Sequence, residues 1–151
     1  MAENSAWKHT QATVTARLEQ EEPLKAIFSA FVPAPAEASA LMPVGLLPLS
    51  WAVSHAMWQA SVRKFGRAAG VPLARRMTMA ATSRRLIIWK ADRRWRLREF
   101  LGELPLGRIG DIDVSGSGSR SRLVTLHLKT GGDVPLKLQP EPANWLRAYL
   151  A

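Results

Sequence analysis

The chain has 151 residues, 47% apolar and 22% charged, which is the length of one globular domain and the composition of a folded one. It contains no cysteine, which excludes a disulfide scaffold, a thiolate nucleophile and any cysteine-ligated metal centre. The formal charge is +9, and the excess sits in one stretch: residues 45–98 hold twelve bases and a single acid, Asp92.

Residues 4–22 read as a helix with a thin apolar stripe of Trp7, Val14 and Leu18, closed by Glu19, Glu21 and Glu22 and stopped by Pro23. Acids at that end oppose the helix dipole, so the pattern predicts a marginal helix. Residues 24–32 alternate as a strand, with Ala26, Phe28 and Ala30 on one side and Ile27 and Phe31 on the other. Pro33, Pro35, Pro43 and Pro48 then punctuate an irregular connection. Residues 49–65 form the best helical candidate, because Trp51, Trp58, Val62 and Phe65 share one face. Gly66, Gly70 and Pro72 are read as its end. From there the period switches to two. Strands are predicted at 76–81, 84–90, 95–101, 108–114, 123–129 and 134–138, separated by polar or glycine-rich turns. Pro135 cannot donate to a ladder, which predicts an edge position for the last strand. Pro140 and Pro142 open a final helix with Trp145, Leu146, Tyr149 and Leu150 on its apolar side. Such a run of short antiparallel strands predicts a small barrel or sandwich with one end or edge covered by the last helix.

The segment Ala81-Thr82-Ser83-Arg84-Arg85-Leu86-Ile87-Ile88-Trp89-Lys90 resembles the T-x-x-R-L strand pair of bacterial pleckstrin-homology-like (PH-like) domains, with Thr82, Arg85 and Leu86 in the named positions. The stretch 101–109 is similar to the family's next strand end, and Thr130-Gly131-Gly132-Asp133 to one of its hairpins. The resemblance covers residues 24–32 and 73–150. It implies a mainly β (α+β) fold: an antiparallel barrel of about seven strands with a C-terminal helix. Residues 1–23 would be an N-terminal helical extension, and 33–72 a Pro-rich helical insert after the first strand of a domain spanning 24–151. The insert replaces the loop that carries phosphoinositide ligands in eukaryotic relatives, so no inositol-phosphate residue is carried over.

Chemistry-bearing residues are few. Arg84, Arg85, Lys90, Arg93, Arg94, Arg96 and Arg98 place seven bases in fifteen residues across one hairpin, with Trp89 and Trp95 beside its tip. Bases beside aromatics suit phosphate contact with stacking or interfacial anchoring, or else form a solvated strand face over core tryptophans. The face of Trp51, Trp58, Val62 and Phe65 suits an apolar contact with a membrane surface or partner, or packing on the barrel or on a second copy of the chain. His9, His55 and His127 lie in three different elements without ligand spacing, so no metal or cofactor is expected. The Gly/Ser loop 115–119 leads into a strand rather than a helix, unlike phosphate-cradling loops. Asp111 and Asp113 share a strand face with no pocket signal for acid–base work. Residues 38–58 are mostly apolar but broken by Pro43, Pro48, Ser50, Ser54 and His55, and are read as not spanning a bilayer. The expectation is a non-enzymatic binding or scaffolding module, engaging a partner protein or an anionic membrane surface. A nucleic-acid-binding domain using the same arginines is the alternative. A homodimer through the insert helix is also open. The location expected is cytoplasmic, with peripheral attachment at the inner membrane face left open.

Overall fold

The computed structural model describes residues 2–19, 22–33, 47–116 and 120–150, with side chains excluded at 2–4, 6 and 47–54. The Pro-rich segment 34–46, the centre of the Gly/Ser loop and the Trp51 side chain therefore lie outside the described residues. The elements in chain order are α1 (Ala2–Arg17), β1 (Leu24–Phe31), α2 (Leu47–Ala69), β2 (Arg76–Thr82), β3 (Arg85–Ala91), β4 (Leu97–Pro105), β5 (Ile109–Ser115), β6 (Arg122–Leu128), β7 (Asp133–Leu138) and α3 (Pro140–Leu150). A single 3-10 turn, Leu106–Arg108, joins β4 to β5.

The seven strands form one antiparallel sheet in the order β4-β3-β2-β1-β7-β6-β5. Two meanders, β1–β4 and β5–β7, are each held by continuous ladders. Between them the ladder is one pair long, Phe31 with Lys137. The inner faces of both meanders share one core, which includes Phe28, Met79, Ile88, Leu126 and Leu136, and α3 contributes Ala143 and Leu146 to it. The mainly β barrel-like sheet with its C-terminal helix has the architecture expected of a PH-like fold. The outer face of β1–β3 carries a second cluster, Ala80, Ile87 and Trp89, covered by Val14 and Leu18 at the end of α1. The two-sided burial of β2 and β3 explains why both read as nearly unbroken apolar runs.

Local chemistry sets the turns. Thr82 Oγ1 accepts the N–H groups of Arg84 and Arg85 at 3.1 Å each and closes β2 onto β3. Asp92 Oδ1 accepts the N–H groups of Arg94 and Arg96 at 2.9 Å each and closes β3 onto β4. That second turn holds residues 92–96 out of the ladder, so β4 starts at Leu97 rather than at 95 and runs on to Pro105, opposite Arg85. Helix α2 does not stop at Gly66. A Cβ there would sit 3.0 Å from the Val71 carbonyl oxygen, so glycine serves close packing, and the chain leaves the helix at Gly70 with φ +72°.

Pro135 does not mark an outer strand, because β7 lies between β1 and β6. The Leu128 N–H donates to Gly132 O at 2.8 Å, which fixes the alternation of the β6–β7 ladder. Pro135 therefore points its nitrogen away from β6, toward β1. Continuing the Phe31–Lys137 register places Pro33 opposite Pro135, and neither has an N–H to offer. The ladder between the meanders stops there for want of donors.

Helix α2 lies against β7 and the turn before it. A Cβ on Gly132 would come 2.7 Å from the Ala68 Cβ. Gly132→Ala is expected to push α2 off the hairpin at a cost of about 1–3 kcal/mol, as overpacking does elsewhere. Urea unfolding would read this as a lower midpoint with an unchanged slope.

Candidate functional site

The hairpin β2–β3–β4 does not gather its seven bases in one place. Arg84 and Arg85 sit at one end of β3 and the other five at the opposite end, about 20 Å away along an extended strand. Arg85 is engaged inside the protein. Its Nη2 lies 2.8 Å and its Nε 3.0 Å from the two carboxylate oxygens of Glu22, whose side chain is fully buried. Its Nη1 pairs with Glu103 and its Nη2 also reaches the Arg17 carbonyl oxygen. Thr82 Oγ1 donates to Glu22 at 3.0 Å. The hydrogen bond from Arg85 is the main reason the Glu22 carboxyl is held down at about 2, and Glu22 in turn pushes the Arg85 pKa upward. Thr82 and Arg85 of the T-x-x-R-L pattern thus tie the end of α1 to the sheet, and Arg85 is not available to an outside anion. Arg84 meets Glu19 at 3.3 Å in an exposed pair.

At the other end, Arg96 and Arg98 both donate to Asp92 Oδ2, at 3.0 Å from Arg96 Nε and from Arg98 Nη2. The Arg96 N–H leads the hydrogen bonds that lower the Asp92 carboxyl to about 2. Lys90, Arg93 and Arg94 are exposed and have no carboxylate partner among the described residues.

Two clefts flank this cationic tip, and Trp58 lines both. The larger, about 640 Å³, is walled by Phe31, Val32, Trp58, Trp95 and Leu138 with Arg120 and Lys137, and no acid among the described residues lines it. The second, about 470 Å³, lies between α2 and the β3–β4 hairpin, with Arg63, Arg75, Lys90 and Glu99 among its walls. Trp58 donates its Nε1–H to the Val32 carbonyl at 2.9 Å and carries the Arg75 guanidinium 3.6 Å from its ring centre. Trp95 has φ +60°, the one positive φ at a non-glycine among the described residues, and its ring stands edge-on to Phe31 at 4.9 Å. A bulky side chain in that region costs about 1–3 kcal/mol, so the turn is strained while it places an aromatic at the cleft mouth.

Trp58, Val62 and Phe65 are half-buried and pack against the barrel core. Trp89 is buried at 2% exposure under α1, with Phe100 at 6.0 Å, so it cannot stack on a base. The carboxylates are dispersed: Glu103 pairs with Arg85, Asp111 caps its neighbour's N–H, and Asp113 meets His127. Among the described residues no group of His, Asp and Glu could hold a metal ion, and no helix is long and apolar enough to cross a membrane.

Sequence reasoning missed three features. Arg120 lies in the loop before β6 and Lys137 in β7, and no local pattern joins them to Trp95. In sequence, Glu22 reads only as one of the acids that oppose the helix dipole at the end of α1. His127 bridges two strands, 2.6 Å from Asp113 through Nε2 and 2.7 Å from Asp133 through Nδ1, a geometry that uses both ring protons. The hydrogen bond to Asp113, then that to Asp133, raises its pKa above 6.5. Its contribution to stability is complete below about pH 6.5 and is lost as pH rises through the raised value. Melting temperatures of the wild type and of Asp113→Asn/Asp133→Asn should therefore differ most in mild acid and converge in mild alkali.

No protein-family model matches this chain, and no curated protein or solved structure is significantly similar to it.

Proposed function

We propose that the chain is a non-catalytic binding module of the PH-like kind that engages an acidic partner protein through its basic, tryptophan-containing face. The observation that carries this reading is a charge imbalance beside a cleft: among the described residues, Lys90, Arg93 and Arg94 lack carboxylate partners, and the adjoining aromatic cleft has two cations and no acid in its walls. Unpaired cations around low-dielectric walls focus the field and raise the encounter rate with anions. A lipid surface fits the face less well, because Trp58 of the α2 stripe is packed on the barrel. Nucleic acid fits less well too, because Trp89 is covered and Trp95 leans on Phe31. A cytoplasmic location belongs to the same proposal.

The test compares three probes over a salt series: a fluorescent Glu-rich peptide, vesicles containing an anionic phospholipid, and single-stranded DNA. The acidic peptide should bind at low salt, and Arg93→Glu/Arg94→Glu should weaken it by about tenfold or more. Binding to vesicles or DNA without the peptide would overturn the reading, as would no binding at low salt.

A further inference from the structure

The seam between the two meanders leaves part of β1 without a strand partner. The Val32 N–H donates to Arg75 O at 3.1 Å, so within the β1–β2 register Val32, Ala30 and Phe28 turn their backbone groups toward β2. Phe31, Ser29 and Ile27 turn theirs the other way. Phe31 meets Lys137, but Ser29 falls opposite Gln139, where the chain is already turning into α3. The N–H and C=O groups of Ile27 and Ser29 thus face the seam with no strand partner among the described residues. Central strands seldom stay unpaired in this way, and an unpaired edge is a template for another strand.

A groove follows that edge. One cleft, about 360 Å³, is walled by residues 25–28 of β1 and by Gln139, Glu141, Pro142 and Trp145. The larger aromatic cleft continues it past Ser29 to Pro33, and Gln139 lines both. From Lys25 to Phe31 the edge is about 20 Å long, enough for roughly six extended residues. Among the described residues, cations mark both ends, Lys25 at one and Arg120 and Lys137 at the other, against the single acid Glu141.

We propose that an extended acidic segment of the partner protein adds as a strand to β1, hydrogen-bonding to Ile27 and Ser29 and seating an apolar side chain between Phe31, Trp58 and Trp95. Main-chain bonds would supply affinity, and the aromatic cleft with its cations would supply selection. This rests on the acidic-partner reading above and adds where and in what conformation the partner binds.

The probe is an acidic octapeptide of alternating valine and glutamate ending in phenylalanine, beside the same peptide methylated on every backbone nitrogen. Methylation keeps the charge and removes the donors. The parent peptide should bind and slow hydrogen exchange at the Ile27 and Ser29 amides, and the methylated one should bind at least about tenfold more weakly. Ser29→Pro should fold, since that N–H serves no bond to β2, and should lose the parent peptide. Equal binding of both peptides, with unchanged exchange at Ile27 and Ser29, would overturn strand addition and leave the basic-face reading standing. Binding of neither at low salt would overturn both.

Discussion

Glu22→Ala should lower folding stability by about 3–5 kcal/mol at neutral pH, because it leaves the Arg85 guanidinium without its buried bidentate partner in a site that is only 14% exposed. Arg85→Ala should cost at least as much. It strands a carboxylate whose side chain is fully buried and which, among the described residues, otherwise keeps only Thr82 Oγ1 and the Glu19 N–H. Arg85→Lys should recover part of the loss, since an ammonium keeps the charge but cannot span both carboxylate oxygens as Nε and Nη2 do. The pair also sets a pH signature. The Glu22 carboxyl is lowered from 4.5 to about 2 in the folded protein. Its contribution is complete above about pH 4.5 and disappears as pH falls toward 2. Thermal melts of the wild type and Glu22→Gln should therefore lie far apart at neutral pH and approach each other between about pH 4.5 and pH 2. A constant gap across that range would show that the carboxylate charge is not what stabilises the clamp.

Trp89→Ala should cost about 3–5 kcal/mol, the loss found when a fully buried aromatic is truncated. Trp89 is central to the outer cluster with Ala80 and Ile87, under Val14, which is 0% exposed. The same cluster holds Phe100, whose ring carries the Arg17 guanidinium at 3.5 Å. Truncation therefore removes the floor on which the end of α1 rests, and limited proteolysis should cut within α1 sooner than in the wild type. Urea unfolding should show the lower midpoint. Unchanged stability and unchanged cleavage would mean that α1 does not rest on this cluster.

Both effects concern residues whose local sequence suggests another use. Arg85 and Trp89 stand in the basic, aromatic run that reads as a binding surface, yet both hold α1 on the sheet. The binding face that remains is smaller and built from more distant pieces: Lys90, Arg93 and Arg94 from one turn, Phe31 from β1, Trp58 from α2, and Arg120 and Lys137 from the second meander.

What the sequence determined by itself was local. Alternation in 76–81, 123–129 and 134–138, the helical spacing of Trp58, Val62 and Phe65, and the turn chemistry of Thr82 and Asp92 report on neighbours a few residues away, so strands, helices and turns were legible. So was the segregation of charge, which needs only counting. The tertiary structure decided which charges are cancelled and which aromatics are covered, because the partners are remote in sequence. Glu22 and Arg85 are 63 residues apart, and the Tyr149 hydroxyl that donates to the Thr82 carbonyl is 67 away. It also decided that Pro33 and Pro135 face each other across the seam. Each proline alone says only that one donor is missing; that the β1–β7 ladder is a single pair, ended on one side by the prolines and on the other by the turn into α3 that leaves Ile27 and Ser29 open, emerges only once the two strands are brought side by side.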